Sequence, residues 1–331
     1  MKKLDDAKII EKYDTKNYCH KIIHMPQNIF WGYEKCKVIL SENFEVKKYE
    51  RVVIFSNEND IFAAKLIEEA YNKIAKISVF TPENRVYLDR NDLVILLDYS
   101  LIDEYSRKIY NLFAKVNCDF AVISKEELEI NSNGMQIVLN KMDEDLTLPY
   151  TFTALIKVLE TYKIIPSQAE EIKSVIASLI ARAGALAEHV DTDSNFGKIS
   201  AENFENKIPF FVAENRDLEN LAIIWQKLFT KRVKTLAFNG LNKNILSEEI
   251  LPVILEKFDN LLPVFIKRFS EKAENRKYTD ELLDIISKSE KNYLEFYVEG
   301  DSIITEYFSL IYLAEITSSY VAILNEKDPS K

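Results

Sequence analysis

Arg51-Val52-Val53-Ile54-Phe55-Ser56-Asn57-Glu58-Asn59-Asp60-Ile61-Phe62-Ala63 is the stretch on which the reading of this sequence turns. Arg51 to Phe55 is a continuous apolar run behind one charged residue, the pattern of a strand buried on both faces in a parallel sheet. After the polar turn Ser56 to Asp60, Ile61, Phe62, Ala63, Leu66, Ile67 and Ala70 recur at helical spacing and stop near Tyr71. Strand, turn and helix make the unit that in α/β proteins carries an anion at the helix N-terminus. This turn, however, carries the carboxylates Glu58 and Asp60 and no glycine.

The unit repeats outward. Ile77-Ser78-Val79-Phe80 and Asp92-Leu93-Val94-Ile95-Leu96-Leu97 read as further strands, the second leading into Asp98-Tyr99-Ser100. Helix-like spacing over 106–115 precedes the strand Phe120-Ala121-Val122-Ile123, and Gln136-Ile137-Val138-Leu139 reads as an edge strand. From Tyr150 to Glu188 the apolar period is helical, broken at Pro166, which lacks an amide donor. A second set opens with Ile208-Pro209-Phe210-Phe211-Val212-Ala213, the turn Glu214-Asn215-Arg216-Asp217 and a helix over 218–229. Strands are expected at 233–238, 261–266 and 292–298, and a long apolar helix over 302–324. The expectation is an α/β chain of two parallel-sheet lobes with helices on both faces. Its divisions are an N-terminal helical segment over 1–40, a first lobe over 41–149, connecting helices over 150–200 and a second lobe over 201–331.

The 331 residues exceed the size at which one core stops growing, and 47% hydrophobic with 29% charged residues is a globular composition. A net charge of −10 argues against a nucleic-acid partner, and the short basic stretch Lys227 to Lys234 reads as a solvated helix end. Cys19, Cys36 and Cys118 are widely spaced with no paired motif, and read as reduced thiols in a soluble, cytoplasmic protein. No hydrophobic leader follows the charged start, and no apolar run reaches the ~20 residues of a membrane span. No cofactor or metal is expected. The glycine-rich fingerprint of a dinucleotide-binding enzyme follows no strand, and the chain has 6 glycines in all. His20 and His24 stand i, i+4 on one helix face, as metal ligands sometimes do, but without the acidic residue of a metalloprotease motif; packing or solvent exposure is the role expected of them. His189 is placed at a helix end.

The stretch 309–329, Ser-Leu-Ile-Tyr-Leu-Ala-Glu through Tyr320-Val321-Ala322-Ile323-Leu324 to Asp328-Pro329, resembles the last helix of bifunctional phosphoglucose/phosphomannose isomerases. Those proteins carry two sugar isomerase (SIS) domains, and their helix reads S-L-I-x-L-x-D, then Y-L-A-x-L-x-G-x-D-P. Asn195-Phe196-Gly197-Lys198, and Phe238 to Asn244 where the family has a P-E-x-N-H-N-like loop, resemble it more weakly and in the right order. The resemblance implies two SIS-type, flavodoxin-like lobes, a homodimer, and a phosphosugar ligand interconverted between aldose and ketose through an enediol. That chemistry needs a proton-shuttling base, a ring-opening group and donors for a phosphate dianion.

At the matched positions those groups are replaced. The family's G-G-S-G turn corresponds to Glu58-Asn59-Asp60-Ile61, where Asn59 or Asp60 is expected to cap the helix instead. Its S-Y-S-G-x-T motif corresponds to Asp98-Tyr99-Ser100-Leu101-Ile102-Asp103, with Asp98 and Asp103 in place of hydroxyl donors. Like charges ~4 Å apart cost about 1 kcal/mol even in water. Lys231 takes the place of the base, a Glu in an N-E-N-A-K-like segment, and Lys243 that of the ring-opening His. The family's Lys beyond Asp-Pro has no counterpart but Lys331. Two functions follow. One is an SIS protein without isomerase activity, serving as a sugar- or sugar-phosphate-related binding, regulatory or structural protein. The other is a divergent isomerase acting on a less anionic sugar in the cleft between lobes, with Asp98, Ser100, Glu214 and Lys243 as working groups.

Overall fold

Val52, Val53, Ile54 and Phe55 are all buried in a strand, β2 (Arg51–Ser56), as their unbroken apolar run requires. The computed structural model describes the chain except for Met1, Pro82, Arg85, 101–107, 109–117, 129–132, 140–145, Glu248 and 270–272. Of the helix expected over 106–115 only Lys108 is described, and the candidate site residue Asp103 lies outside the described residues. The chain divides into two units, Met25–Ile176 and Met1–His24 with Ala177–Lys331.

In the unit Met25–Ile176, a helix α3 (Met25–Phe30) precedes a strand β1 (Lys37–Leu40). There follow β2, α4 (Ile61–Tyr71), β3 (Ile77–Phe80), β4 (Asp92–Leu97), β5 (Asp119–Ser124), β6 (Gly134–Val138) and α5 (Leu148–Thr161). The six-stranded sheet has the order β1-β6-β5-β4-β2-β3. Every pairing is parallel except β1 on β6, which is antiparallel. Two expectations are corrected. Residues 37–40 are a strand rather than helix, and they cover β6, so β6 is not the edge. The alternation that would have shown β1 is only four residues long, too short to separate from loop. Gly32 lets α3 and the turn after it lie against α5, since a Cβ there would stand 2.3 Å from Thr153 Oγ1. A side chain at this position would overpack the contact.

A long helix, α6 (Ala169–Leu186), follows α5 after the break at Pro166, as expected. The other unit contains α1 (Ala7–Tyr13) and α2 (Tyr18–Ile23) from the N-terminus. After α6 come α7 (Phe196–Phe204), β7 (Ile208–Ala213), α8 (Glu219–Leu228), β8 (Phe238–Leu241), α9 (Asn242–Ser247) and α10 (Ile250–Lys257). Strand β9 (Leu261–Arg268), α11 (Ala273–Lys288), β10 (Leu294–Val298) and α12 (Ile303–Leu324) complete it. The sheet order is β10-β9-β7-β8, all parallel. The strand expected over 233–238 is displaced: Val233 ends a π-helical turn over Phe229–Val233, Lys234 sits at φ 56°, and pairing begins only at Phe238. The π turn extends α8 by one wide turn before the chain can reverse.

Helix α12 is long and apolar enough to cross a membrane, contrary to the expectation that no such run exists, but 94% of its most apolar 18-residue window is buried in the protein. It is a core helix. Ser302 caps its start by accepting from Thr305 N at 3.2 Å, and Tyr320 donates to the Leu186 carbonyl at 2.7 Å. Its Ile304, Tyr307, Ile311, Tyr312, Ile316 and Tyr320 are each buried to within 1%. Full burial of such a side chain contributes about 1.5–3 kcal/mol.

Candidate functional site

In an open parallel sheet, ligands bind beyond the strand C-termini, at the point where the strand order reverses. In one unit that point lies between β2 and β4, because the chain leaves β2 for β3 on one side and β4 on the other. Ser56-Asn57 and Asp98-Tyr99 stand there. In the other unit it lies between β7 and β9, where Glu214 and Arg268 stand.

At the β2/β4 crown, Asn57 Oδ1 accepts from Asn59 N at 3.0 Å and from Asp60 N at 2.9 Å, and Asn57 Nδ2 donates to Asp98 Oδ1 at 2.7 Å. Asp60 Oδ2 accepts from Tyr99 N at 2.9 Å, and Thr147 Oγ1 lies 3.5 Å from its Oδ1. Ser100 Oγ donates to Asp98 Oδ1 at 3.3 Å. Asp60 stands at the cap position as expected, but no side chain caps α4: Asn57 closes the turn ahead of the helix and Asp60 turns inward instead. Both carboxylates are sequestered, Asp60 at 3% and Asp98 at 0% exposure, while Glu58 and Asn59 are exposed. Burial pushes the Asp60 carboxyl up to about 6, and the charge of Asp98 adds to the rise. The amides of Asn59, Asp60 and Tyr99 already have acceptors supplied by the chain itself. Asn57→Ala removes the acceptor of two turn amides, and is expected to lower stability by about 0.5–1.5 kcal/mol in denaturant titration, the range of a lost hydrogen bond.

The β7/β9 crown is closed in the same manner. Glu214 is 2% exposed; its Oε2 accepts from Arg268 N at 2.7 Å and its Oε1 from Asn215 Nδ2 at 3.3 Å. The Arg268 guanidinium forks onto Glu306 in the first turn of α12, with Nε and Nη2 at 3.0 and 2.8 Å from Oε2. A cation at the crown is therefore committed to a carboxylate of the same unit.

The remaining sequence candidates are scattered. Lys231 is exposed on the π turn, and Lys243 is exposed in α9, its backbone N–H bonded to Asn242 Oδ1 at 2.6 Å. Lys331 Nζ is 3.3 Å from Asp328 Oδ2. Against its desolvation, hydrogen bonds from Ser330 and Thr15 hold the Asp328 carboxyl down at about 2. In Asn195-Phe196-Gly197-Lys198, Asn195 caps α7 by accepting from Lys198 N at 3.1 Å. Lys198 is fully buried, donating to the carbonyls of Leu4 at 2.6 Å and Glu188 at 2.8 Å, with burial lowering its ammonium pKa against the opposing pull of Asp5. That motif ties the N-terminal segment down.

The basic stretch Lys227 to Lys234, expected to be solvated, hides one buried member. Arg232 is 3% exposed, ion-paired to Glu315, and donates to the Glu315 carbonyl and Ser318 Oγ at 3.3 Å and to Tyr18 OH at 2.5 Å. The signal that could have found it was Glu315 itself, a charge midway along an apolar helix, which is stable in a core only when paired. An apolar cleft of about 380 Å³ in the same unit, lined by Phe196, Phe269, Phe296, Leu310 and Leu313 among others, includes none of the candidate residues.

Residues 193–331 match the family model of the bacterial phospho-glucose isomerase C-terminal SIS domain. The chain is also 24% identical over 322 residues to a bifunctional phosphoglucose/phosphomannose isomerase of Caldicellulosiruptor bescii, covering 93% of this chain and 94% of that one. The chain is thus similar to the phosphoglucose/phosphomannose isomerase family. Solved structures agree in fold. A glucose-6-phosphate isomerase like protein from Thermus thermophilus superposes with a TM-score of 0.66 at 16% identity, over 99% of this chain and 95% of that one. A tagatose-6-phosphate ketose/aldose isomerase from Escherichia coli gives 0.64 at 13% identity, over 96% and 95%. In this chain both crowns are occupied by its own carboxylates and carboxamides.

Proposed function

We propose that this chain is a member of the phosphoglucose/phosphomannose isomerase family that does not interconvert aldose and ketose phosphates, and acts as a sugar-related binding, regulatory or structural protein. One observation carries the reading: at the β2/β4 crown, Asn57 and Asp60 take up the amides of Asn59, Asp60 and Tyr99. A phosphate dianion arriving there would have to displace both side chains and then lie against the carboxylates of Asp60 and Asp98. Such an anion would lose donors and meet like charge in a site of low dielectric, both unfavourable. The exposed lysines at the matched base and ring-opening positions, Lys231 and Lys243, supply no carboxylate base and no imidazole. The reading extends to a cytoplasmic homodimer, which light scattering of the purified chain checks.

Coupled assays starting from fructose 6-phosphate are expected to form neither glucose 6-phosphate nor mannose 6-phosphate above the buffer rate. Turnover that Lys231→Ala abolishes overturns the reading. A second reading rests on the same acid-rich crowns. Carboxylate oxygens at Asp98 in one unit, and separately at Glu214 in the other, suit hydroxyl or ammonium donors, so a divergent isomerase would act on a neutral or amino sugar at one of these crowns. A melting-temperature screen of phosphorylated, neutral and amino sugars separates the two, because a ligand that binds only the native state raises stability by mass action. A shift confined to neutral or amino sugars, followed by turnover of the responding sugar, favours the second.

A further inference from the structure

Helix α2 carries His20, and His24 follows at its C-terminal cap; these are two of the chain's three histidines, and both are exposed. Residues four apart on a helix stand one above the other. Here the rings meet edge to face, with centroids 4.5 Å apart, through their far nitrogens: Nε2 to Nε2 is 3.1 Å. The opposite side of α2 is fixed. Tyr18, Cys19 and Ile22 are buried, Asp14 accepts from Cys19 N at 2.8 Å, and Tyr18 OH accepts from the buried Arg232. The helix packs on α12. The two imidazoles thus project from a backbone that the core holds still.

A divalent ion bound to both Nε2 atoms at about 2.0–2.1 Å, the usual metal–imidazole distance, would subtend about 95–102° between ligands 3.1 Å apart. That angle falls between the octahedral and tetrahedral values, so the pair needs no backbone change to act as two adjacent ligands. We propose that His20 and His24 form a two-imidazole clip for a borderline divalent transition ion, Cu²⁺, Ni²⁺ or Zn²⁺. Among the described residues no group of three or more His, Cys, Asp and Glu side chains is placed to hold a metal, so water fills the remaining positions. Without an ion, the hydrogen of one Nε2 lies between the two nitrogens. When the ion enters, that ring takes the Nδ1–H tautomer and both Nε2 lone pairs turn to the metal, with no net change in protons on two neutral rings. Imidazole ligation selects against Mg²⁺ and Ca²⁺, which take oxygen. The site is independent of the proposed lack of isomerase activity, since it shares no residue with either crown.

Isothermal titration of the full, untagged chain at about pH 7.5 with NiCl₂ and separately ZnCl₂ tests the clip. One ion per chain is expected, with a rise in melting temperature that EDTA reverses and that MgCl₂ does not reproduce. His20→Asn and His24→Asn are each expected to weaken binding by at least about tenfold, since either leaves a single ligand. His189→Asn removes the third histidine and is expected to leave affinity unchanged. Both clip positions are exposed, so these variants fold, and circular dichroism confirms it. Absence of binding in the wild-type chain overturns the proposal. So does binding that survives the double variant, or an equal loss in His189→Asn.

Discussion

Arg232→Ala is expected to lower the unfolding free energy by about 3–5 kcal/mol, the cost of leaving a buried charge without its partner. Arg232 and Glu315 are 3% and 6% exposed, and water reaches neither well enough to replace the lost guanidinium. The guanidinium also serves Ser318 Oγ, the Glu315 carbonyl and Tyr18 OH, and packs over the Tyr18 ring 4.6 Å from its centroid. One side chain therefore joins the π turn, α12 and α2. Its removal strands an anion in the middle of a long apolar helix. Arg232→Met with Glu315→Leu tests whether the loss is charge or shape. Replacing both charges with apolar groups of similar volume is expected to recover most of the stability, because the desolvation of two ions is removed along with their attraction. A denaturant titration in which Arg232→Ala costs under about 1 kcal/mol, the value of an exposed pair, would show that Glu315 reaches water in solution.

Asp60→Asn is expected to stabilise the protein in a pH-dependent way. The folded carboxyl titrates at about 6, against 3.8 for the free group. Between those values the native state binds more protons than the unfolded one, so wild-type stability falls as pH rises from near 4 and levels off above 6. Above pH 6 the full penalty of an ionised, buried Asp60 applies, which the shift sets at about 3 kcal/mol. The carboxamide cannot ionise, keeps the shape, and offers its oxygen to Tyr99 N. The variant should therefore be more stable than wild type by up to about 3 kcal/mol at pH 8 and within about 1 kcal/mol of it at pH 4, with most of its pH slope over that interval gone. A variant less stable than wild type at both pH values would mean that the anionic Asp60, rather than the neutral acid, is what the fold requires.

The strand-turn-helix units were legible because their chemistry is local. A continuous apolar run followed by apolar residues at 3.6 spacing can be satisfied in few ways, and β2, α4, β4, β7, α8 and α12 stand where their patterns place them. Elements set by partners rather than by pattern were not legible. β1 has four residues and exists because β6 offers it a ladder, and β8 begins at Phe238 because a π turn carries the chain past Val233 before pairing can start.

The candidate site divides along the same line. Residue types alone determined that the turn at Ser56 to Asp60 has no glycine cradle and that acids stand where hydroxyls and amides would be wanted, because charge and missing donors belong to the side chain whatever its surroundings. Which oxygen meets which amide was a tertiary matter. Asp60, at the cap position of α4, does not cap it but reaches across to Tyr99 on the neighbouring strand end, and Glu214 does the same to Arg268. Those bonds join residues 39 and 54 positions apart, and only the parallel register of β2 on β4 and of β7 on β9 brings them within 3 Å.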